Sequence, residues 1–388
     1  MNDPERGALR LKPGVRSKAL AGHPWILSSE IGTKPAGEWS GRSVVATGAG
    51  GELVGTGFYR DGARVAWRRF SKSVDDFDAG FVEKGLQAAL EKRKKIPARR
   101  IVWSETDSMP GLVMDQYGKH LVVQITTEAM ERNWEMVCAA VQRVLEPEGI
   151  WVRRDASGRK LEGLETLPGE ARGVVPQAPT LVEIGGMEVW VDLRAGQKTG
   201  TYLDQQENYP IVAMECRGRK VLDLFCHSGG FALRAARAGA AEVTGVDTSR
   251  PSLELARRSG DHHGFAIRWA QEDVTRFLRT CNKGQYDFVI LDPPGLVKSR
   301  SRAEAGMRVM AELHRGSLRA LARGGLFATF SCSHRVGGEE LLGMAKQVAR
   351  EEGRMMRIKA RLGQASDHPT DPAFPESRYL SGFLLEVE

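Results

Sequence analysis

The chain has 388 residues, 41% of them hydrophobic and 27% charged, with a formal charge of +7. This is too long for one comfortable core and too apolar for a disordered chain, so two or three domains are expected. No stretch approaches the roughly 18 uninterrupted apolar residues of a membrane span, and the charged start MNDPERGALRLKPGVR excludes a secretory leader, so a cytoplasmic location is expected with no membrane contact. The five cysteines (Cys138, Cys216, Cys226, Cys281 and Cys332) are odd in number and scattered, which argues against a disulfide framework and a structural zinc; no metal is expected. The positive surplus suits a polyanionic partner, with ordinary solubility charge as the plain alternative.

Residues 1–78 carry short apolar runs, RSVVATGAG, ELVGTGFY and RVAWRRF, broken by Gly pairs. That pattern predicts a small antiparallel β-barrel. Arg64, Trp67, Arg68, Arg69 and Phe70 interleave cations with aromatics, an arrangement that can hold a phosphate backbone while stacking bases. Arg64, Trp67 and Arg68 are therefore candidate substrate contacts. The alternative places Trp67 and Phe70 in the barrel core and leaves the arginines merely solvated.

Residues 79–186 predict a small connecting α+β domain. FVEKGLQAALEKRKK has helical spacing and ends at Pro97; then come the acidic turn SETDSMPGLVMDQYG, the strand HLVVQIT and the helix NWEMVCAAVQRVL. Glu105, Asp107 and Asp115 invite a metal or acid/base reading, but turn carboxylates ordinarily cap and solvate.

Residues 187–388 form the expected third domain. From Lys220 strands and helices alternate: VLDLF, FALRAARAGA, EVTGVD, PSLELARRSGDHHG, IRWAQED, YDFVILDPP. Alternation of this kind predicts βαβ units, a mostly parallel sheet and an α/β fold. Ligands of such sheets bind at the carboxyl ends of the strands. After the first strand the loop CHSGGF offers Ser228, Gly229, Gly230 and Phe231 at a helix start, where a backbone can approach a ligand closely. Asp247, about 20 residues on, can accept both hydroxyls of a ribose. Asp273 is placed to accept from an adenine amino group, and Asp292-Pro293-Pro294 ends the fourth strand. Singly, Asp247 or Asp273 would be a helix cap or a surface turn. The set, with no GxGxxG fingerprint, looks like the class I methyltransferase fold, whose cofactor is S-adenosyl-L-methionine.

The strand GGLFATFSCSH ends in Ser331, Cys332, Ser333 and His334, bringing a thiol to the same edge as Asp292. Carbon 5 of cytosine is not nucleophilic until a nucleophile adds at carbon 6, and a thiolate suits that task. The plainer reading of Cys332 is a small buried hydrophobe. Cys226 is read as a neighbour of the cofactor.

GHPWILSSEI, SETDSMPGLVMDQYG, GQKTGTYLDQQENY, LDLFCHSGGFALRAARAGA, VDTS, LDPPGLVKSR, FSCSH and DHPTDPAFPESRYLSGF together resemble the PUA-domain-containing rRNA (cytosine-C5) methyltransferases of bacterial large-subunit ribosomal RNA, over nearly the whole chain. The resemblance implies a PUA barrel, a connecting domain and a Rossmann-like catalytic domain. It makes Cys332 the nucleophile, has Asp292 and Pro293, with Pro294, hold the base, and gives Asp247 and Asp273 the ribose and adenine. It also brings Asp292 and the segment Gln197, Lys198, Thr199 and Gly200 to the cofactor. The implied partner is RNA, 23S ribosomal RNA or a large-subunit precursor, and a homodimer is compatible with it. Two departures stand out. Cys226, His227 and Ser228 replace the Ser-Tyr-Thr of many relatives, and Gly295 stands where Lys or Ala commonly follows the prolines. The base that removes the carbon-5 proton is left among His334, His368 and water. A guanine or amine N-methyltransferase on the same scaffold would need no thiol, and a ribosome-binding or assembly factor would need no working cofactor site.

Overall fold

The computed structural model describes residues 7–156, 158–296, 303–333 and 336–388. They divide into two compact units: 1–178 with 193–200 and 367–377, and 179–192 with 201–366 and 378–388.

In the first unit, β1 (Gly7–Leu11), β2 (Trp25–Leu27), β3 (Ile31–Thr33), β4 (Ser43–Thr47), β5 (Leu53–Tyr59) and β6 (Val65–Ser71) form one sheet in the order β2-β6-β5-β4-β1-β3. Alternating residues Leu9, Leu11, Val44, Ala46 and Trp67 fill its inside, as the period-2 pattern requires. Asp78 ends this part by capping α1 (Ala79–Glu91), its carboxylate accepting from the Phe81 N–H at 2.8 Å. A five-stranded sheet follows in the order β11-β10-β9-β8-β7. It comprises β7 (Ala98–Trp103), β8 (Leu112–Tyr117), β9 (His120–Ile125), β10 (Gly149–Arg154) and β11 (Leu167–Gly173), with α2 (Glu128–Arg132), α3 (Trp134–Leu145) and α4 (Gly158–Leu161) between them. Leu112, Met114, Leu121, Val123, Ile125, Ile150 and Val152 join the buried side chains of α1 and α3 in a single core. The polar alternates Asp115, Tyr117, Gln124 and Arg153 all bond to one segment of residues 196–199: Asp115 and Tyr117 to the Thr199 hydroxyl, Gln124 to the Lys198 carbonyl, Arg153 to the Gly196 carbonyl.

The second unit begins with the hairpin β12 (Thr180–Ile184) and β13 (Met187–Val191). A domain boundary was expected between residues 186 and 187, and that point falls inside this hairpin. Gly185 and Gly186, at φ 55° and 74°, are its tight turn and not a linker. The boundary lies instead at residue 178, and residues 193–200 and 367–377 return to the first unit.

Beyond α5 (Asn208–Ala213), the chain alternates β14 (Lys220–Leu224), α6 (Gly230–Arg237), β15 (Glu242–Asp247), α7 (Arg250–His262), β16 (Arg268–Gln271), α8 (Val274–Thr280), β17 (Tyr286–Leu291), α9 (Ala303–Ala320) and β18 (Leu321–Ser331). It closes with α10 (Gly338–Glu351), β19 (Met356–Gly363) and β20 (Ser381–Val387). The sheet runs β16-β15-β14-β17-β18-β20-β19, parallel through β18 and antiparallel beyond it. On β17, Phe288 and Ile290 enter one core and Val289 and Leu291 the other, so both faces are covered. Strand order reverses between β14 and β17, and the crevice at their carboxyl ends is where a ligand of such a sheet binds. Among the described residues no helix is long and apolar enough to cross a membrane.

Candidate cofactor and active site

The loop leaving β14 is tightly constrained. Asp223, fully buried on β14, accepts the Ala232 N–H at 2.9 Å and ties the first turn of α6 to the strand; burial pushes its carboxyl well above the usual carboxylate range. Between these anchors Phe225, His227 and Gly229 all adopt positive φ, at 61°, 49° and 80°. A side chain at Gly229 would also put its Cβ 2.6 Å from the Trp269 ring, so glycine is required there. Left-handed conformations at two non-glycine residues cost of order 1 kcal/mol or more each and persist where the surroundings impose them.

What imposes them is Asp247. Its Oδ2 accepts the His227 N–H at 2.9 Å and its Oδ1 the Ser249 N–H at 2.8 Å. A carboxylate has about four lone-pair sites, so two N–H donors leave it chemically suited to accept the two hydroxyls of a ribose. Ser249 also caps α7, and the Asp247 carbonyl accepts the Glu272 N–H, drawing the third loop alongside. Asp273 is exposed and caps α8, its Oδ1 accepting the Arg276 N–H at 3.0 Å. Ser228 bonds His227 Nδ1 at 3.1 Å and the Thr201 hydroxyl at 3.3 Å.

The second half of the site sits where β17 and β18 end. Asp292 is half-buried, Pro293 buried and Pro294 exposed. Cys332, half-buried, directs its thiol at the Pro293 carbonyl, Sγ to O 3.7 Å. Gly295 closes the arrangement: a Cβ there would stand 3.9 Å from the Cys332 sulfur, in ordinary contact, so the absent side chain leaves open space beside the thiol. Tyr202 links the halves. Burial pushes its phenol up, with Asp292, Asp204, Cys332 and Asp247 adding to the shift, and its ring meets His227 edge-on at 4.9 Å between centroids. Cys226, by contrast, is buried, and burial pushes its thiol well above the ordinary range, which leaves it unreactive.

A PUA-like domain profile matches residues 9–72 and a methyltransferase domain profile residues 221–321. The ribosomal RNA large subunit methyltransferase I of Shewanella amazonensis is 31% identical over 98% of this chain and 99% of its own length. The chain belongs to the ribosomal RNA large subunit methyltransferase I family. The Aeromonas salmonicida member of that family is 32% identical over 97% of this chain and 98% of its own length. A solved SAM-dependent methyltransferase from Streptococcus mutans superposes with a TM-score of 0.81 at 18% identity, over 98% of this chain and 99% of that one.

The cofactor of this class I fold is S-adenosylmethionine, and the donor set at the β14 and β15 loops fits it: a carboxylate for a diol, a Gly-rich helix start and a second carboxylate beyond. Some expected contacts of the ribosomal RNA large subunit methyltransferase I family fall elsewhere. Phe231 stacks on Phe330 at 5.3 Å in the core, so only its main chain remains available to a cofactor. Thr199 is buried, with its hydroxyl committed to Asp115 and Tyr117, so its side chain is structural. Gln197 and Gly200 close a small bridge around Lys198, directly before Thr201.

In the barrel, Trp67 is 0% exposed and its indole N–H is taken by the Val44 carbonyl at 2.9 Å, so it stacks no base. Arg68 is locked between Glu105 at 2.8 Å and Glu162 at 3.0 Å, which neutralise it. Both were expected to touch substrate; packing and ion pairing use them instead, and only Arg64 is exposed. Asp107 and Asp115 likewise pair with Arg93 and Arg100. His368 is buried with Nδ1 on Asp367 and belongs to the first unit, while His334 lies outside the described residues.

Residues without a sequence-based role complete the catalytic region: Tyr202, Gln205 and Asn208, all inside the GTYLDQQENY stretch. Gln205 Nε2 donates to Asp292 Oδ2 at 2.9 Å, and Asn208 Nδ2 donates to Gln205 Oε1 at 2.6 Å. Their signal was a cluster of amides before an α/β domain, uninformative until the fold places it beneath Asp292.

Proposed function

We propose that this chain methylates carbon 5 of a cytosine in ribosomal RNA, with 23S rRNA of the large subunit as the substrate. The observation that carries the reading is Cys332, its sulfur beside the Asp-Pro-Pro loop and open space next to it at Gly295. The names of the family members supply the RNA class; the thiol supplies the chemistry.

The target cytosine is flipped from its stack so that its ring enters the crevice. Cys332, as thiolate, forms a bond from Sγ to carbon 6, and the electron pair of the 5,6 double bond moves toward carbon 5 and the ring. Asp292 accepts from the exocyclic amine; the Pro293 carbonyl accepts from the resting Cys332 thiol and so sets the sulfur's position before it ionises. S-adenosylmethionine, when bound against Asp247, Asp273, Ser228, Gly229 and Gly230, supplies the methyl group that carbon 5 takes up. A base then removes the carbon-5 proton, the double bond re-forms, and Sγ leaves carbon 6. His368 is too buried for that base, which leaves His334 and water. On the barrel, Arg64 contacts the phosphate backbone.

Bisulfite sequencing of ribosomal RNA from a strain lacking the gene tests this directly. One cytosine should lose its protection from conversion, and complementation with Cys332→Ala should not restore it. Full restoration by that variant would favour amine methylation, and failure of the purified protein to bind S-adenosylmethionine would favour a ribosome-assembly role.

A further inference from the structure

We infer that Gln205 is a positioning residue that holds Asp292 in its acceptor state and orientation for the base, an inference resting on the cytosine reading above. Gln205 and Asn208 are both buried, yet they form a relay with a polarity that can be read from one end. Asn208 Nδ2 lies 2.8 Å from the Gly363 carbonyl, which can only accept. The amide of Asn208 must therefore present its NH2 there, and the same NH2 gives its other proton to Gln205 Oε1 at 2.6 Å. With its oxygen taken, Gln205 can offer Asp292 Oδ2 only its NH2, at 2.9 Å. The main chain at the end of β19 thus dictates that Asp292 receives a proton donor and never an opposing carbonyl.

Neighbouring groups make that dictation necessary. Tyr202 and Asp223 both feel the charge of Asp292, so its acceptor state bears on the groups packed about this strand end. A protonated Asp292 would present a donor and would suit a uracil carbonyl better than a cytosine amine. The floor of the relay is rigid: Asp204 accepts from the Tyr379 hydroxyl at 2.6 Å, and its carbonyl accepts from the Ala365 N–H at 2.9 Å.

A double-mutant cycle on the full-length protein separates positioning from ordinary packing. Gln205→Met keeps the volume and removes the donor. Its single-turnover methylation rate should fall roughly 10- to 100-fold, the worth of a hydrogen bond to a charged group. S-adenosylmethionine affinity by calorimetry should stay within about 2-fold, which also certifies folding. In an Asp292→Asn background, already slow, Gln205→Met should change the rate by less than about 2-fold, because its partner is gone. Asn208→Ala, which leaves Gln205 in place but frees its amide to turn over, gives a second cycle if Gln205→Met does not fold. Multiplicative losses in both cycles overturn the positioning role while the cytosine reading stands. A fully active Asp292→Asn enzyme overturns both.

Discussion

Cys332 and Pro293 face each other across the ends of two adjacent parallel strands, the thiol of one 3.7 Å from the carbonyl of the other. Cys226, at the end of β14, has no such outlook because it is buried, with its sulfur beside Gly245. Cys332→Ala should therefore abolish methyl transfer and Cys226→Ala should leave most of it. RNA carrying 5-fluorocytosine, which cannot lose its carbon-5 substituent as a proton, should trap a covalent complex with wild type and Cys226→Ala alone. A trapped complex in Cys332→Ala would remove the thiol from the mechanism.

Asp247 organises two backbone donors and the proposed ribose contact at once. Replacement by Ala removes hydrogen bonds to a charged group, each worth about 1.5–3 kcal/mol, and releases the strained His227 turn. Affinity for S-adenosylhomocysteine should fall at least about 10-fold by calorimetry. Asp273→Ala, at an exposed cap, should lose less.

The barrel separates binding from stability. Arg68→Ala strands Glu105 and Glu162, both nearly fully buried, and should cost about 3–5 kcal/mol in denaturant unfolding. Arg64→Glu should cost less than about 0.5 kcal/mol but weaken RNA binding, with a salt dependence shallower by about one unit in the log–log slope. An Arg64→Glu protein with unchanged RNA affinity would move the RNA surface elsewhere.

His314, 0% exposed inside the sheet domain, hydrogen-bonds the Met310 carbonyl and the Thr329 hydroxyl, and burial pushes its pKa down to about 4. An unfolded histidine titrates near 6.5, so between those values the unfolded chain holds a proton that the folded chain does not. Stability is therefore complete above pH 6.5 and drains away as pH falls toward 4, by roughly 3 kcal/mol. Thermal melts from pH 7 to 4.5 should slope steeply in wild type and more gently in His314→Asn.

Sequence legibility followed locality. The βαβ alternation, the loop at Ser228–Gly230, Asp247 and the Asp292 strand end were readable because each depends on residues close in sequence and on one topological rule. Trp67 and Arg68 misled because an amphipathic strand shows the same aromatic and basic letters whether they face solvent or a buried carboxylate; Glu105 and Glu162 lie 37 and 94 residues away. Gln205 was invisible for the same reason, since its meaning comes from Asp292, 87 residues on, and from a carbonyl at Gly363. Phe231 follows a Gly-rich turn, where the backbone serves the ligand while the ring serves the core.

The two compact units exchange the chain five times, with residues 193–200 and 367–377 stitched into the N-terminal one. Gene fusion or recombination at any single junction would hand each product a body lacking pieces encoded elsewhere. A transplant of the catalytic unit between relatives has to carry three separate stretches together, which favours inheritance of the reading frame as an indivisible whole.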